Sequence, residues 1–413
     1  MNKSTILIII LIIFCIDSCT NPTDSKSKEK VIEGNVELYT QAAVDTFTGT
    51  SITGDLNIRG SDIVDLSPLS KLTLVGGNLI IYNTLINIVG FNNLNSVGGH
   101  IYIDSNDSLI NIKGMNNLSF VGGSLNIKYN NELINLEGLN NLTSITNSLV
   151  LTNNMLLTNF DGLSNLKSIK GSLNITSNEF LANLDGLNQL TSLVGELSII
   201  GNNSLTNIDG LSNLTSAIGN LEFSFNTSLT NIDGLSKIDS VSGSVLIIGH
   251  PVLTNLDGLN NISFVGGGLN IIGNKMLLNL NGLSNLNSVG GFMGISNNDA
   301  LINLDGLGSI TSIQGGLILD GNDALTNLDE LKNLISIGGG LDLKGNIALT
   351  NLDGLSNLTT VGDYLSAKDN VALNRFCALY LMLSTGFQGD YIVTGNLVNP
   401  TQQQIIDAGP CSN

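Results

Sequence analysis

The chain has 413 residues, of which only 12% are charged and 5% aromatic, with 47 Gly and no Trp. Its 16 Lys and Arg against 34 Asp and Glu leave a net charge of -18, which repels phosphate backbones and anionic lipid surfaces and excludes nucleic acid as an expected partner. Two His, two Arg (Arg59 and Arg375) and four Cys are little material for a catalytic or metal site, while 42% hydrophobic residues are too many for a disordered chain.

At the N-terminus, Lys3 precedes an unbroken apolar run from Ile6 to Phe14. The run is far shorter than the ~20 residues of a membrane-spanning helix and fits the apolar core of a secretory signal. It leads to Ile16-Asp17-Ser18-Cys19, which resembles a bacterial lipobox and implies that Cys19 becomes a lipidated N-terminus once residues 1–18 are removed. The alternative is an ordinary secretory signal with an incidental Cys. Residues 19–34 read as a polar tether. No later stretch is apolar for eighteen residues, so the expected membrane attachment is the lipid alone. Cys377 and Cys411 lie together near the C-terminus, and export to an oxidising compartment predicts that they pair; two free thiols are the alternative.

From residue 66 to 373 the chain repeats itself with a step of 24 residues and no insertion from Gly90 onward. The marker glycine recurs at Gly114, Gly138, Gly162 and so on to Gly354, with Glu330 as its one replacement. Apolar columns follow at steps of three, as in Leu349, Leu352, Leu355 and Leu358, then at a step of two, as in Leu341 and Leu343. Period two predicts a half-buried strand and period three an extended, turning return path. Such a coil cannot bury its apolar side alone, so the coils must stack. The expected fold is all-β: a parallel β-solenoid of about thirteen coils, on the order of 60 Å long at a strand spacing of ~4.8 Å.

Polar columns keep the same step. One Asn column runs from Asn87 to Asn351 and a second from Asn106 to Asn370, with His250 in place of Asn once. Stacked amides that both donate and accept predict structural ladders. A carboxylate column, Asp161, Asp185, Asp209, Asp233, Asp257, Asp305, Asp329 and Asp353, precedes the marker glycine. Turn capping is the expectation there, and a row of calcium ions the alternative, although the Gly- and Asp-rich nonapeptide of calcium β-rolls is absent.

The recurrent LTNLDGLSNLTTVGD-type unit, the leading segment VELYTQAAVDTFTGTSITGDLNI and the closing segment from FCALYLML to IIDAGPC together resemble the bacterial receptor-L-domain-like leucine-rich-repeat proteins over roughly residues 36–411. That resemblance implies a right-handed solenoid on an exported protein, used for recognition in the receptor relatives. Ala217-Ile218, at odds with the Val-Gly-Gly corner, predicts a local irregularity. Both ends need caps. Residues 35–65 supply the first, with a short helix over Thr40–Phe47 capped by Thr40. Residues 374–413 supply the second, with an apolar helix over Asn374–Ser384, another opened by Asn399-Pro400-Thr401 and ended at Gly409, and the Cys377–Cys411 staple.

No set of nucleophile, base and orienting residue breaks the repeat together, so no enzyme and no cofactor or metal is expected. On the period-two strand the outward residues are mostly Ser, Thr, Asn, Asp and Lys, but Ile200, Phe225, Leu246, Ile248 and Ile272 form an apolar run, with His250 close by. These six are the candidate ligand-binding residues. A smaller candidate is His100 with Tyr102 and Asp104. The expected function is recognition or adhesion by a monomeric, lipid-anchored cell-surface protein, its partner a protein or glycan. A passive surface spacer, or a polysaccharide-active β-helix enzyme, are the alternatives.

Overall fold

The computed structural model describes residues 29–82, 85–217 and 219–411. Each 24-residue unit makes one turn of a stacked coil. In most coils a four-residue strand, a tight turn, an extended leg, a short 3-10 turn and a two-residue strand follow one another, and a corner leads into the next coil; at Gly90, Gly138 and Gly306 a plain turn takes the place of the 3-10 turn. The four-residue strands join into one sixteen-stranded parallel sheet running from Val36–Leu38 to Asp390–Thr394. Register is fixed by the repeat: Leu125 pairs with Leu149 and Ile127 with Leu151, and Leu149 then pairs with Leu173. The two-residue strands form a second, narrow face. It is split among the described residues into a nine-stranded sheet ending at Ser216–Ala217 and a six-stranded sheet starting at Ser240–Val241. The break falls in the coil that carries the irregular corner; Ile218 itself lies outside the described residues.

Every apolar column points inward. Leu85, Leu109, Leu133 and their successors to Leu373 are fully buried, as are the columns at Leu125 and Ile127. One continuous core therefore runs the length of the stack. At ~1.5–3 kcal/mol per buried aliphatic side chain, this column packing is the main stabilising term.

The marker glycine is needed because of its neighbour coil. A Cβ on Gly162 would stand 1.8 Å from the carbonyl oxygen of Leu136, and one on Gly210 equally close to that of Leu184. Only hydrogen lets successive 3-10 turns nest. Where Glu330 replaces it, the 3-10 turn lengthens to Asp329–Asn333.

Both ends are capped. A helix α1, Gln41–Asp45, takes Thr40 as N-cap, its side chain accepting from the Ala43 amide. At the other end the expected helix from Asn374 starts later. Arg375 still bridges to Asn351 as part of the stack, so a 3-10 turn at Cys377–Leu379 precedes α2, Tyr380–Ser384. The last helix α3, Gln402–Ala408, begins at Thr401 with a reciprocal capping box to Gln404 and ends at Gly409. Cys377 and Cys411 form a disulfide that ties α3 back to the stack.

Candidate functional site

The outward face of the wide sheet is built by alternation: in each four-residue strand the first and third residues enter the core, and the second and fourth face out. Ile200, Ile248 and Ile272 are fourth residues in this pattern, and Leu246 is a second residue. Ile248 stands directly opposite Ile272 and on its other side opposite Ser224, which separates it from Ile200. All four are half-buried by their neighbours in the sheet. The structure thus gathers Leu246, Ile248 and Ile272 into one patch and sets Ile200 two rungs away.

Phe225 occupies a different slot from the one expected. Its strand ends at Ser224, and Phe225 follows in the left-handed turn conformation, φ 56°. The ring is 57% exposed and lies over Gly249, where a Cβ would come within 2.7 Å of it. Phe225 therefore edges the apolar patch from the turn.

His250 is not on this face. It is fully buried, because the left-handed turn at Gly249 ends the alternation and sends the next residue inward. In the other coils that slot holds a buried Asn. Asn130, for example, donates through Nδ2 to Ile103 O at 2.9 Å and to Asn154 Oδ1 at 3.1 Å, while its own amide donates to the same Oδ1 at 3.2 Å. His250 keeps part of this role. Nδ1 lies 3.1 Å from Asn226 O and Nε2 3.0 Å from Phe223 O, and burial pushes its pKa below the usual imidazole value. As a surface ligand contact it is withdrawn.

The second candidate is also largely structural. His100 Nδ1 accepts the Ser124 amide at 2.9 Å, and its ring tilts against Tyr102 with centroids 5.8 Å apart. It belongs to a corner ladder that sequence reading missed. Asn78 Oδ1 receives the His100 amide at 2.7 Å, Ser148 Oγ the Ser172 amide at 3.0 Å, and Ser244 Oγ the Gly268 amide at 3.0 Å. From Gly268 onward the slot loses its acceptors. Instead the Phe292 ring sits against Gly316 and the Tyr364 ring against Gly340, each where a Cβ would otherwise be.

Turn capping falls to Asn rather than Asp. The Asp161 amide donates to Asn159 Oδ1 and the Asp233 amide to Asn231 Oδ1. Among the described residues the carboxylates of Asp161, Asp185, Asp209, Asp233 and Asp257 meet no hydrogen-bond donor. Burial first, then the neighbouring charges of Asp257 and Asp209, raise the pKa of Asp233. The one trio among the described residues close enough to share an ion is Asp353 with Cys377 and Cys411. Those two sulfurs are bonded to each other and Asp353 pairs with Arg375 Nε at 3.2 Å, so the trio is a structural knot. No described helix is long and apolar enough to cross a membrane.

The sequence matches no family model and no curated protein. Among solved structures, it is similar to an internalin (inlF) of Listeria monocytogenes at 19% identity, covering 84% of this chain and 86% of that one with a TM-score of 0.40. It is also similar to TLR13 in its complex with ssRNA13 at 13% identity, covering 92% of this chain and 77% of that one with a TM-score of 0.19. At such scores neither likeness speaks to what this chain binds.

Proposed function

We propose that this chain is an exported, lipid-anchored surface protein of the leucine-rich-repeat type, a monomer and not an enzyme, which presents the outward face of its wide sheet to a protein partner. The observation that carries the reading is the patch of Leu246, Ile248 and Ile272 edged by Phe225. On this outward face Ile248 and Ile272 stand directly opposed, whereas Val150 and Ile318 stand singly among polar or small neighbours, and the pair lies beside the break in the narrow sheet and beside the buried Asn-to-His replacement. Fold maintenance needs none of these side chains apolar, since Thr, Asp and Lys fill the same columns elsewhere. Aliphatic contacts suit a protein surface better than a glycan.

Residues 1–28, with the signal and Cys19, lie outside the described residues, and anchoring rests on the lipobox resemblance alone. Mass spectrometry of the membrane-extracted protein tests it: a diacylglyceryl adduct on Cys19 is expected, lost in Cys19→Ala. For the face, an array of extracellular host proteins is probed with the chain from residue 20 onward. A ligand bound by the native chain and lost in Ile248→Lys, with an unchanged circular dichroism spectrum, supports the reading; equal binding by both overturns it. The spacer reading draws on the unbroken 24-residue register, and an array with no ligand at all favours it.

A further inference from the structure

Where the narrow sheet ends, the solenoid leaves one hydrogen-bond acceptor unused. In coil after coil the carbonyl of the inward residue of the short strand accepts an amide from the next coil. Gly98 donates to Val75 O at 2.8 Å, Gly266 to Val241 O at 2.8 Å, Gly338 to Ile313 O at 2.9 Å and Gly362 to Ile337 O at 3.0 Å. Val361 is the last residue of this series, and its strand Thr360–Val361 is the edge of its sheet. Among the described residues no donor reaches the Val361 carbonyl. The neighbouring acceptor, Thr359 O, is met by the hydroxyl of Thr385 from the cap, at 3.4 Å. The cap therefore replaces the missing coil at one carbonyl and not at the other.

The space left is a cleft of about 470 Å³ whose walls include Thr360, Val361, Met382, Thr385, Phe387 and Gln388, within the ~300–1,000 Å³ of small-molecule sites. None of the residues lining it is charged. Gln388 donates through Nε2 to Gly386 O at 3.1 Å, which leaves its carbonyl end to accept. The cleft thus combines a main-chain acceptor without a partner among the described residues, an amide oxygen, hydroxyls and an aromatic ring. A main-chain acceptor with no partner in the chain is open to a donor from a ligand.

We propose that this cleft is a binding site for a neutral sugar unit of one or two rings, held by a hydroxyl donated to the Val361 carbonyl, by Thr360 and Gln388, and by contact of its apolar face with Phe387. An extended peptide gains little here: the strand has two residues, and the following amide, Gly362, is already committed to Ile337 O. Anionic sugars are disfavoured by the net charge of -18. The site is independent of the Ile248 face.

Saturation-transfer NMR and titration calorimetry on the chain from residue 20 onward test it, with lactose, cellobiose, N,N′-diacetylchitobiose, 3′-sialyllactose and an extended hexapeptide as probes. At least one neutral disaccharide is expected to bind. Gln388→Ala and Thr360→Val, both at exposed side chains, should each weaken it by about 3- to 10-fold, the worth of one hydrogen bond. Ile248→Lys should leave it unchanged, which separates this site from the sheet face. Binding of no neutral disaccharide, binding indifferent to both cleft variants, or binding of the peptide alone overturns the proposal.

Discussion

The Nε2 atom of His250 lies 3.0 Å from the carbonyl oxygen of Phe223, and Nδ1 of the same ring lies 3.1 Å from the carbonyl oxygen of Asn226. A neutral imidazole carries one N–H, so it can satisfy only one of these two acceptors. The Asn that fills this slot elsewhere also offers an oxygen to the preceding coil, as Asn226 Oδ1 does to the Asn202 amide at 2.9 Å. His250 is a flaw in an otherwise regular ladder.

Replacing His250→Asn should repair that ladder and raise the melting temperature, by about 1 °C if one buried hydrogen bond of ~1 kcal/mol is regained. The pH dependence should change as well. The folded pKa of His250 is lowered from 6.5 by burial, so in the window below that value the unfolded chain binds more protons than the folded one. Stability from this group is then full above pH 6.5 and falls as pH drops toward the folded value. Thermal melts between about pH 7.5 and 5 should show this loss in the native chain and a smaller one in His250→Asn; identical slopes contradict it.

Asp233 behaves in the opposite sense. The pKa of Asp233 is raised by burial and by Asp257 and Asp209, so the folded state binds the proton more readily than the unfolded chain. Its contribution opposes folding at neutral pH and is relieved as pH falls through the carboxylate range. Asp233→Asn should raise the melting temperature by on the order of 1 °C at low salt. Added sodium chloride should reduce the difference, because these charges are exposed to screening. A calcium-specific rise, absent with sodium at equal ionic strength, would instead revive the ion-row reading.

Gly210→Ala should be far more harmful than its size suggests. The added Cβ would fall 1.8 Å from Leu184 O, which forces two nested turns apart and should cost about 3 kcal/mol or more. Ser212→Ala, two residues on at the exposed end of the same turn, should be within ~0.5 kcal/mol of the native chain. Urea unfolding of the two variants compares them directly.

Reduction of Cys377–Cys411 should loosen the C-terminal cap first. The bond spans 34 residues that include α2, the last strand and α3, and its loss should cost about 2–4 kcal/mol. Hydrogen exchange with and without reductant should show faster exchange in residues 377–411 and no change near Leu149. Uniform protection in both states contradicts this.

Much of the architecture is legible in the sequence because the repeat makes each core residue announce itself many times. Leu85 to Leu373 form one visible column, and the buried Asn106 to Asn370 another. Alternation carried through the turn misplaces His250, because the left-handed residue at Gly249 ends it and turns the chain inward. The same extension puts Phe225 in the strand, when it stands in the turn. The corner ladder is hidden since its slot holds Asn78, His100, Ser148 and Ser244, which share an acceptor atom and nothing a column of letters would show. The Val361 cleft leaves no trace in sequence. It exists because the repeat stops, and which acceptor then lacks a donor depends on how the cap is folded.

The face proposed for recognition exists only if residues 24 apart stand on neighbouring rungs. Paired cysteines test this most directly. Ile248→Cys with Ile272→Cys places two thiols on directly opposed residues of adjacent strands, within the Cα separation of ~4.4–6.8 Å that a disulfide requires. Ile200→Cys with Ile248→Cys places them two strands apart, at about 9–10 Å. Mild oxidation followed by peptide mass spectrometry should find the first pair crosslinked and the second pair not. Crosslinking of the second pair as readily as the first, or no bond between the directly opposed thiols, would contradict the stacked register and remove the apolar patch with it.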